Sequence, residues 1–276
     1  VCNLKCRICG SWSSSKWAQE EMDYGENPVA MKNLKEGGWP KKNPQFFEDL
    51  KDDLRYVEYF EFTGGEPFMI KDHFKILMHC VEKGLAKNID IHYNTNGTHF
   101  PEYAIKLIWP HFKDVEIAFS IDDIRGRFEY QRYGAKWDQV NENIKKFNAL
   151  KSDSKNISTQ ICCTINIQNI YNLDNMADWI KQQNFDYVYY NYLHEAKEWN
   201  VQYLPMHLKH KIKKKLAKYD GDIWHYKQIQ NAINFMMSAN LHTDKLTHKR
   251  KRKLKMSDLY RNESFAETFP EISELI

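Results

Sequence analysis

With 276 residues, 42% of them apolar and 28% charged, and a formal charge of +3, the chain is long enough for one large domain or for a domain with an appendage. It is too apolar to be disordered or collagen-like. Six cysteines are too few for a secreted disulfide scaffold of this length, and no run of about 18 apolar residues spans a bilayer.

Cys2, Cys6 and Cys9 crowd into the first nine residues, and Trp12 and Trp17 behind them read as core or pocket wall. The pattern predicts a helix over 46–54, then an aromatic-rich strand over 56–63 that stops at Gly64-Gly65. In 72–84, Phe74, Leu77, Met78 and Val81 recur at i, i+3, i+4 and i+7, which predicts a helix stopped by Gly84, with Cys80 as a core thiol. A strand over 89–94 ends at Asn96-Gly97, a helix over 103–109 follows Pro101, and a strand over 115–121 ends at Asp122-Asp123. A helix over 137–150 precedes a β-branched strand over 157–167, in which adjacent Cys162 and Cys163 point to opposite faces. A helix over 173–183 and a strand over 187–192 complete the series, and Tyr187, Tyr189, Tyr190 and Tyr192 of that strand are expected to pack against helices.

Alternating β and α segments imply a parallel sheet, here of five strands, with ligands gathered at the C-terminal strand ends. The polar clusters sit at such ends: Gly64-Gly65-Glu66-Pro67, Thr95-Asn96-Gly97-Thr98, Ser120 with Asp122, and Asn166. A boundary is expected near Leu204-Pro205, giving a core of residues 1–204 and a basic, mainly helical extension of residues 205–276. From Pro205 to Lys255 fourteen Lys or Arg stand against three acids, a net +11, which leaves −8 for the rest of the chain. Helices are predicted over 208–216, 223–241 and 256–261, with an apolar tail around Phe265, Phe269 and Ile272. The run over 247–255 reads as a solvated face with a loop, or as a dock for an acidic partner.

The N-terminal cysteines have the spacing C-x3-C-x2-C. Three thiols cannot pair off as disulfides without leaving one over, and soft thiolates favour zinc or an iron–sulfur cluster. A closed zinc site needs a fourth ligand, and the next histidine after Cys9 is His73. A [4Fe–4S] cluster normally takes four cysteines, so three leave one iron open to an incoming ligand. A zinc knuckle completed by a distant histidine is the other reading.

Cys2-Asn3-Leu4-Lys5-Cys6-Arg7-Ile8-Cys9, with Thr63-Gly64-Gly65-Glu66-Pro67 about sixty residues later, resembles the radical S-adenosylmethionine (radical SAM) superfamily over roughly residues 1–200. The resemblance implies an α/β fold, a partial (β/α)6 TIM-like barrel. The family's first strand precedes the first cysteine, where this chain has only Val1, so the chain is expected to lack it, as a fragment would, and to leave the edge of the strand over 56–63 unpaired. The resemblance makes Cys2, Cys6 and Cys9 the ligands of one [4Fe–4S] cluster whose open iron holds S-adenosylmethionine. It places Ile8 and Leu193 at the adenine, the backbone of Gly64, Gly65 and Glu66 at the methionine ammonium, and Ser120 and Asp122 at the ribose. Asn166 then falls at SAM or substrate, and Thr95 and Asn96 at the substrate.

By the same resemblance, reduction of the cluster cleaves SAM to a 5′-deoxyadenosyl radical that abstracts hydrogen from a substrate, and the basic extension is similar to the twitch or SPASM-like domains of some members. Those often carry further clusters on extra cysteines. No cysteine follows Cys163, so one cluster is expected. The implied partners are a peptide or protein substrate, a flavodoxin- or ferredoxin-type electron donor and an acidic partner at the basic part. No membrane is implied, and the location expected is cytoplasmic. The readings from other classes are a zinc-stabilised nucleic-acid-binding module and a cluster-bearing scaffold that does not cleave SAM.

Overall fold

The structure, a computed structural model, describes residues 2–25, 43–194, 196–219 and 224–275. Chain order runs β1 (Lys5–Cys6), α1 (Ser15–Asp23), α2 (Pro44–Asp53), β2 (Tyr59–Phe62), α3 (Lys71–Glu82), β3 (Asp90–Thr95), α4 (Glu102–Leu107), β4 (Asp114–Ser120), α5 (Arg125–Gln131), β5 (Arg132–Tyr133), α6 (Trp137–Leu150), β6 (Ile157–Ile165), α7 (Leu173–Lys181), β7 (Tyr187–Tyr192), α8 (Met206–Leu216), α9 (Trp224–Met237), α10 (Asp244–Arg261) and α11 (Phe265–Thr268), with short 3-10 turns between. The architecture is α/β: five strands in the order β2-β3-β4-β6-β7, with β2, β3 and β4 paired in parallel and helices in the connections, as in a partial, open TIM-like barrel. β1 and β5 form a separate antiparallel pair that no sequence pattern indicated.

By internal packing the chain forms two compact units, Val1–Ser120 with Arg132–Gln160, and Ile121–Gln131 with Ile161–Ile276. The boundary expected at Leu204-Pro205 lies inside the second of these.

In the first unit, register aligns Phe60, Ile91 and Val115, then Phe62, Tyr93 and Ile117, on one face of β2, β3 and β4. Aromatic rings cover that face. Phe62 stacks 5.0 Å from Tyr93 and lies 4.6 Å from His73 of α3, while Trp109 sits 5.6 Å from Tyr93. Such rings bury large apolar areas, on the order of 1.5–3 kcal/mol each. α3 buries His73, Leu77 and Cys80 and ends as predicted, with the Gly84 N–H on the Val81 carbonyl at 3.0 Å and the Leu85 N–H on that of Cys80 at 2.9 Å. α6 buries Trp137, Val140, Ile144 and Phe147 along one stripe, and Asn143 on the same side donates to the Gly97 carbonyl at 2.9 Å, tying the helix to the loop after β3.

In the second unit, α7 buries Leu173, Met176, Ala177 and Ile180, and α8 buries Leu208, Ile212 and Leu216 at the predicted spacing. Of the four β7 tyrosines, Tyr190 is buried and Tyr192 packs 4.6 Å from Phe235 of α9. Tyr187 and Tyr189 are instead 58% and 49% exposed, because alternate residues of a strand turn to opposite faces. The run over 247–255 is neither loop nor separate segment: it lies inside the 18-residue α10. Lys and Arg are good helix formers, the Thr243 hydroxyl caps the N-terminus through the Leu246 N–H, and Asn262 closes the C-terminus in the left-handed region. Ile223, the expected first residue of the preceding helix, lies outside the described residues, and that helix ends at Met237 rather than at Leu241. Among the described residues no helix is long and apolar enough to cross a membrane.

Candidate functional site

The cysteine loop is built by short-range capping. The Ser14 side chain caps α1 at the Trp17 N–H and donates to the Leu4 carbonyl at 2.7 Å. The Cys6 carbonyl accepts the Cys9 N–H at 3.0 Å and the Trp17 indole N–H at 2.8 Å. Trp17 is therefore buried as expected, whereas Trp12 is 76% exposed and lines no core. Lys5 pairs with the buried Glu20 of α1. The β1–β5 pairing sets Cys6 opposite Arg132, whose Nη1 lies 3.9 Å from the Cys6 sulfur.

A hydrogen-bond network carries this loop to the strand ends. Asn3 donates to the Thr98 hydroxyl and accepts from the Asn96 side chain, each at 2.9 Å. Asn96 in turn donates its backbone N–H to Glu66 at 2.8 Å, and the Thr95 hydroxyl donates to the same carboxylate at 2.8 Å. The Phe68 N–H completes the set at 3.2 Å. Glu66 is fully buried, and burial pushes its carboxyl pKa up while the Asn96, Thr95 and Phe68 donors and the Arg132 charge oppose the shift. The side chain of Glu66 thus fastens the Gly64-Gly65 turn to β3, and its buried oxygens are satisfied within the protein. Both glycines have left-handed φ, +73° and +63°, and a Cβ on Gly64 would meet no atom within 4 Å. The turn selects glycine for its conformation, and the space beside Gly64 is open.

Electrostatics places the thiols in one neighbourhood with this turn. Burial raises the Cys2 pKa, the Leu4 N–H (3.5 Å from its sulfur) lowers it, Glu66 and Cys9 raise it, and Arg132 lowers it. All three cysteines are free of disulfides. Among the described residues no three His, Cys, Asp or Glu side chains converge to hold a single metal ion. A four-iron cluster makes a different demand, one thiolate on each of several irons. Three thiols on one loop, with an arginine and a backbone N–H beside two of them, fit that group.

The remaining expected residues are distributed between the units. Ile8 and Ser120 are half-buried in the first. In the second, Asp122 accepts the Thr164 N–H at 2.9 Å, and the Asn166 amide donates to the Thr164 carbonyl at 3.0 Å and accepts the Gln168 N–H at 2.9 Å, so these two meet at Thr164. The Leu193 N–H donates to the Ile165 carbonyl at 3.4 Å. Thr95 and Asn96 are 1% and 5% exposed, with their polar atoms engaged by Glu66, Asn3 and Thr98. Cys80 is a buried core thiol with its pKa pushed up to about 11, and of the adjacent pair Cys163 is buried while Cys162 is half-buried.

Sequence reasoning missed Arg132, which stands 126 residues from Cys6, and a titratable row across three strands. Register aligns Glu61, His92 and Glu116 on the sheet face opposite Phe62 and Tyr93. His92 Nδ1 lies 2.8 Å from the Glu116 carboxylate, which raises the His92 pKa above its ordinary 6.5 despite partial burial, with Glu61 adding to the rise. A histidine raised on folding stabilises fully below about pH 6.5, and that contribution is lost as pH rises through its folded value. The stability of the native chain is therefore expected to fall, relative to Glu116→Gln, by up to about 1 kcal/mol between pH 6 and 9. Urea unfolding at both pH values checks this, and parallel curves for the two proteins would contradict it.

A family model described as the radical SAM superfamily matches residues 1–180. The chain belongs to the radical SAM superfamily. The radical SAM fold is also met in solved structures. Native anSMEcpe with bound AdoMet and Kp18Cys peptide is 18% identical with a TM-score of 0.51, covering 84% of this chain and 59% of that one. The same protein with Cp18Cys peptide gives 18% and 0.50, covering 84% and 58%. Streptococcus suis SuiB bound to S-adenosylmethionine gives 15% and 0.45, covering 79% and 42%. This radical SAM chain spans about half the length of the solved structures it matches. No curated protein matches the sequence.

Proposed function

We propose that the chain is the core of a radical SAM enzyme that binds one [4Fe–4S] cluster on Cys2, Cys6 and Cys9 and acts on a peptide or protein. The observation that carries this is the network from Asn3 through Asn96 and Thr95 to Glu66, which ties the cysteine loop to the Gly64-Gly65 turn. When bound, the reduced cluster supplies one electron to the sulfonium of SAM, which releases methionine and a 5′-deoxyadenosyl radical that takes hydrogen from the substrate.

The chain's own residues bind and orient. Arg132 Nη1 stands beside the Cys6 sulfur and the Leu4 N–H beside that of Cys2, so each of these sulfurs faces a hydrogen-bond donor. Because Glu66 is engaged by its side chain, the Gly64-Gly65 backbone is left to accept an ammonium in the open space beside Gly64. Ile8 and Leu193 would pack on the adenine, Ser120 and Asp122 would hold ribose hydroxyls, and Asn166 would lie at SAM. The bound peptides of the anSMEcpe structures support a peptide or protein as the substrate class. A flavodoxin- or ferredoxin-type protein would supply the electron, and the C-terminal helices would serve as a twitch-type extension without a cluster of its own.

Anaerobic reconstitution followed by dithionite and SAM is expected to release 5′-deoxyadenosine, read by liquid chromatography. Protein that holds about four irons and forms none would be the non-cleaving scaffold instead, and protein that takes up only zinc would remove the proposal.

A further inference from the structure

α10 carries a charge pattern that its own stability does not explain. Lys245, His248, Arg252, Lys255 and Leu259 are all exposed and succeed one another at spacings of 3, 4, 3 and 4, so they form one stripe along the helix. Arg250, Leu254 and Arg261 are buried on the other side. Arg252 and Lys255, three residues apart, repel, and Lys245 in the first turn opposes the helix dipole, so the stripe weakens the helix that bears it. The flanking Lys249 and Lys253 share the single carboxylate of Glu198. Among the described residues no carboxylate pairs with Lys245, Arg252 or Lys255. At the C-terminal end of the stripe Leu259 is 87% exposed and Tyr260 44%.

We propose that this face of α10 docks an acidic peptide segment that also carries an apolar side chain, and that the segment belongs to the enzyme's substrate. The last clause rests on the peptide reading given above. From Lys245 to Leu259 the stripe runs about 21 Å, the reach of roughly six extended residues. Carboxylates along it meet the unpaired cations, and an apolar residue at its end covers Leu259 and Tyr260. A nucleic acid is the poorer fit: phosphates would satisfy the cations and leave an exposed leucine with nothing to bury it, and of the stripe's cations only Arg252 has the forked, planar donor geometry that phosphate and base edges favour.

The test uses the full chain, without cofactor, and fluorescence anisotropy of a labelled peptide of alternating Glu and Ala ending in Leu-Phe. Binding is expected to weaken at least tenfold in the triple variant Lys245→Glu, Arg252→Glu, Lys255→Glu, and severalfold in Leu259→Ser, which keeps every charge. Equal affinity in the triple variant overturns the proposal. So does tighter binding of a single-stranded oligonucleotide or an anionic vesicle of matched charge, or indifference of the peptide to Leu259→Ser. Formation of 5′-deoxyadenosine without peptide, assayed beside peptide binding in the unsubstituted chain, keeps the two readings apart: SAM cleavage without peptide binding refutes only the dock, and peptide binding without SAM cleavage refutes only the enzyme.

Discussion

Cys6→Ala is expected to abolish both iron retention and SAM cleavage. Cys6 is the buried member of the triad, held on β1 opposite Arg132, with its carbonyl clamped by the Cys9 N–H and the Trp17 indole. Its removal leaves two thiols for a cluster that already has one iron without a cysteine, and no other cysteine stands on the loop to substitute. Iron after anaerobic reconstitution should drop from about four to less than one per chain, with loss of the brown absorbance. The formation of 5′-deoxyadenosine should fall on the order of a thousandfold or more, since the cofactor carries the chemistry. Cys80→Ala is the control: its thiol is fully buried and its pKa is pushed up to about 11, so it is neither accessible nor ionised, and this variant should keep its iron. Full iron in the Cys6 variant, or iron loss in the Cys80 variant, would move the cluster away from the triad.

Glu66→Ala should lower stability by about 3 kcal/mol, because two buried backbone N–H groups and the Thr95 hydroxyl lose their acceptor together. For a chain of this size that is a fall of roughly 6–12 °C in melting temperature. Glu66→Gln should not rescue it fully. One oxygen serves Phe68 and Thr95 and the other serves Asn96, so either orientation of the amide sets an N–H against a backbone N–H. Calorimetry of the apo-protein decides: a drop below 2 °C in the alanine variant would show that the carboxylate is not the fastener between the turn and β3.

Much of the fold was legible because it is written in local periodicity. The stripe over 137–150, the β-branched run from Ile157, the tyrosines of 187–192 and the Gly84 stop all have a pattern within one element, and the structure matches them to within a few residues. α10 was misread although its signals were present: Thr243 before Asp244 and Asn262 after Arg261 are helix boundaries, and a run of Lys and Arg between them has high helix propensity. α5, Arg-Gly-Arg-Phe-Glu-Tyr-Gln, has too short a pattern to be seen, and its place depends on contacts such as the Tyr130 hydroxyl on Asp258 at 2.7 Å. The two-residue strands β1 and β5 have no period at all and exist only through their mutual pairing.

The candidate site divides in the same way. The sequence by itself determined the family, because three thiols at fixed short spacing and a glycine pair with left-handed φ are needs of chemistry and backbone that few other residues meet. Only the tertiary structure decided what Glu66, Thr95 and Asn96 do. A buried carboxylate is defined by the donors around it, and two of the three, Thr95 and Asn96, come from the end of β3 about thirty residues away. It likewise brought Arg132 to Cys6 and set Glu61, His92 and Glu116 in one row, since strand register and long-range charge are properties of the folded sheet and leave no mark on the order of residues along the chain.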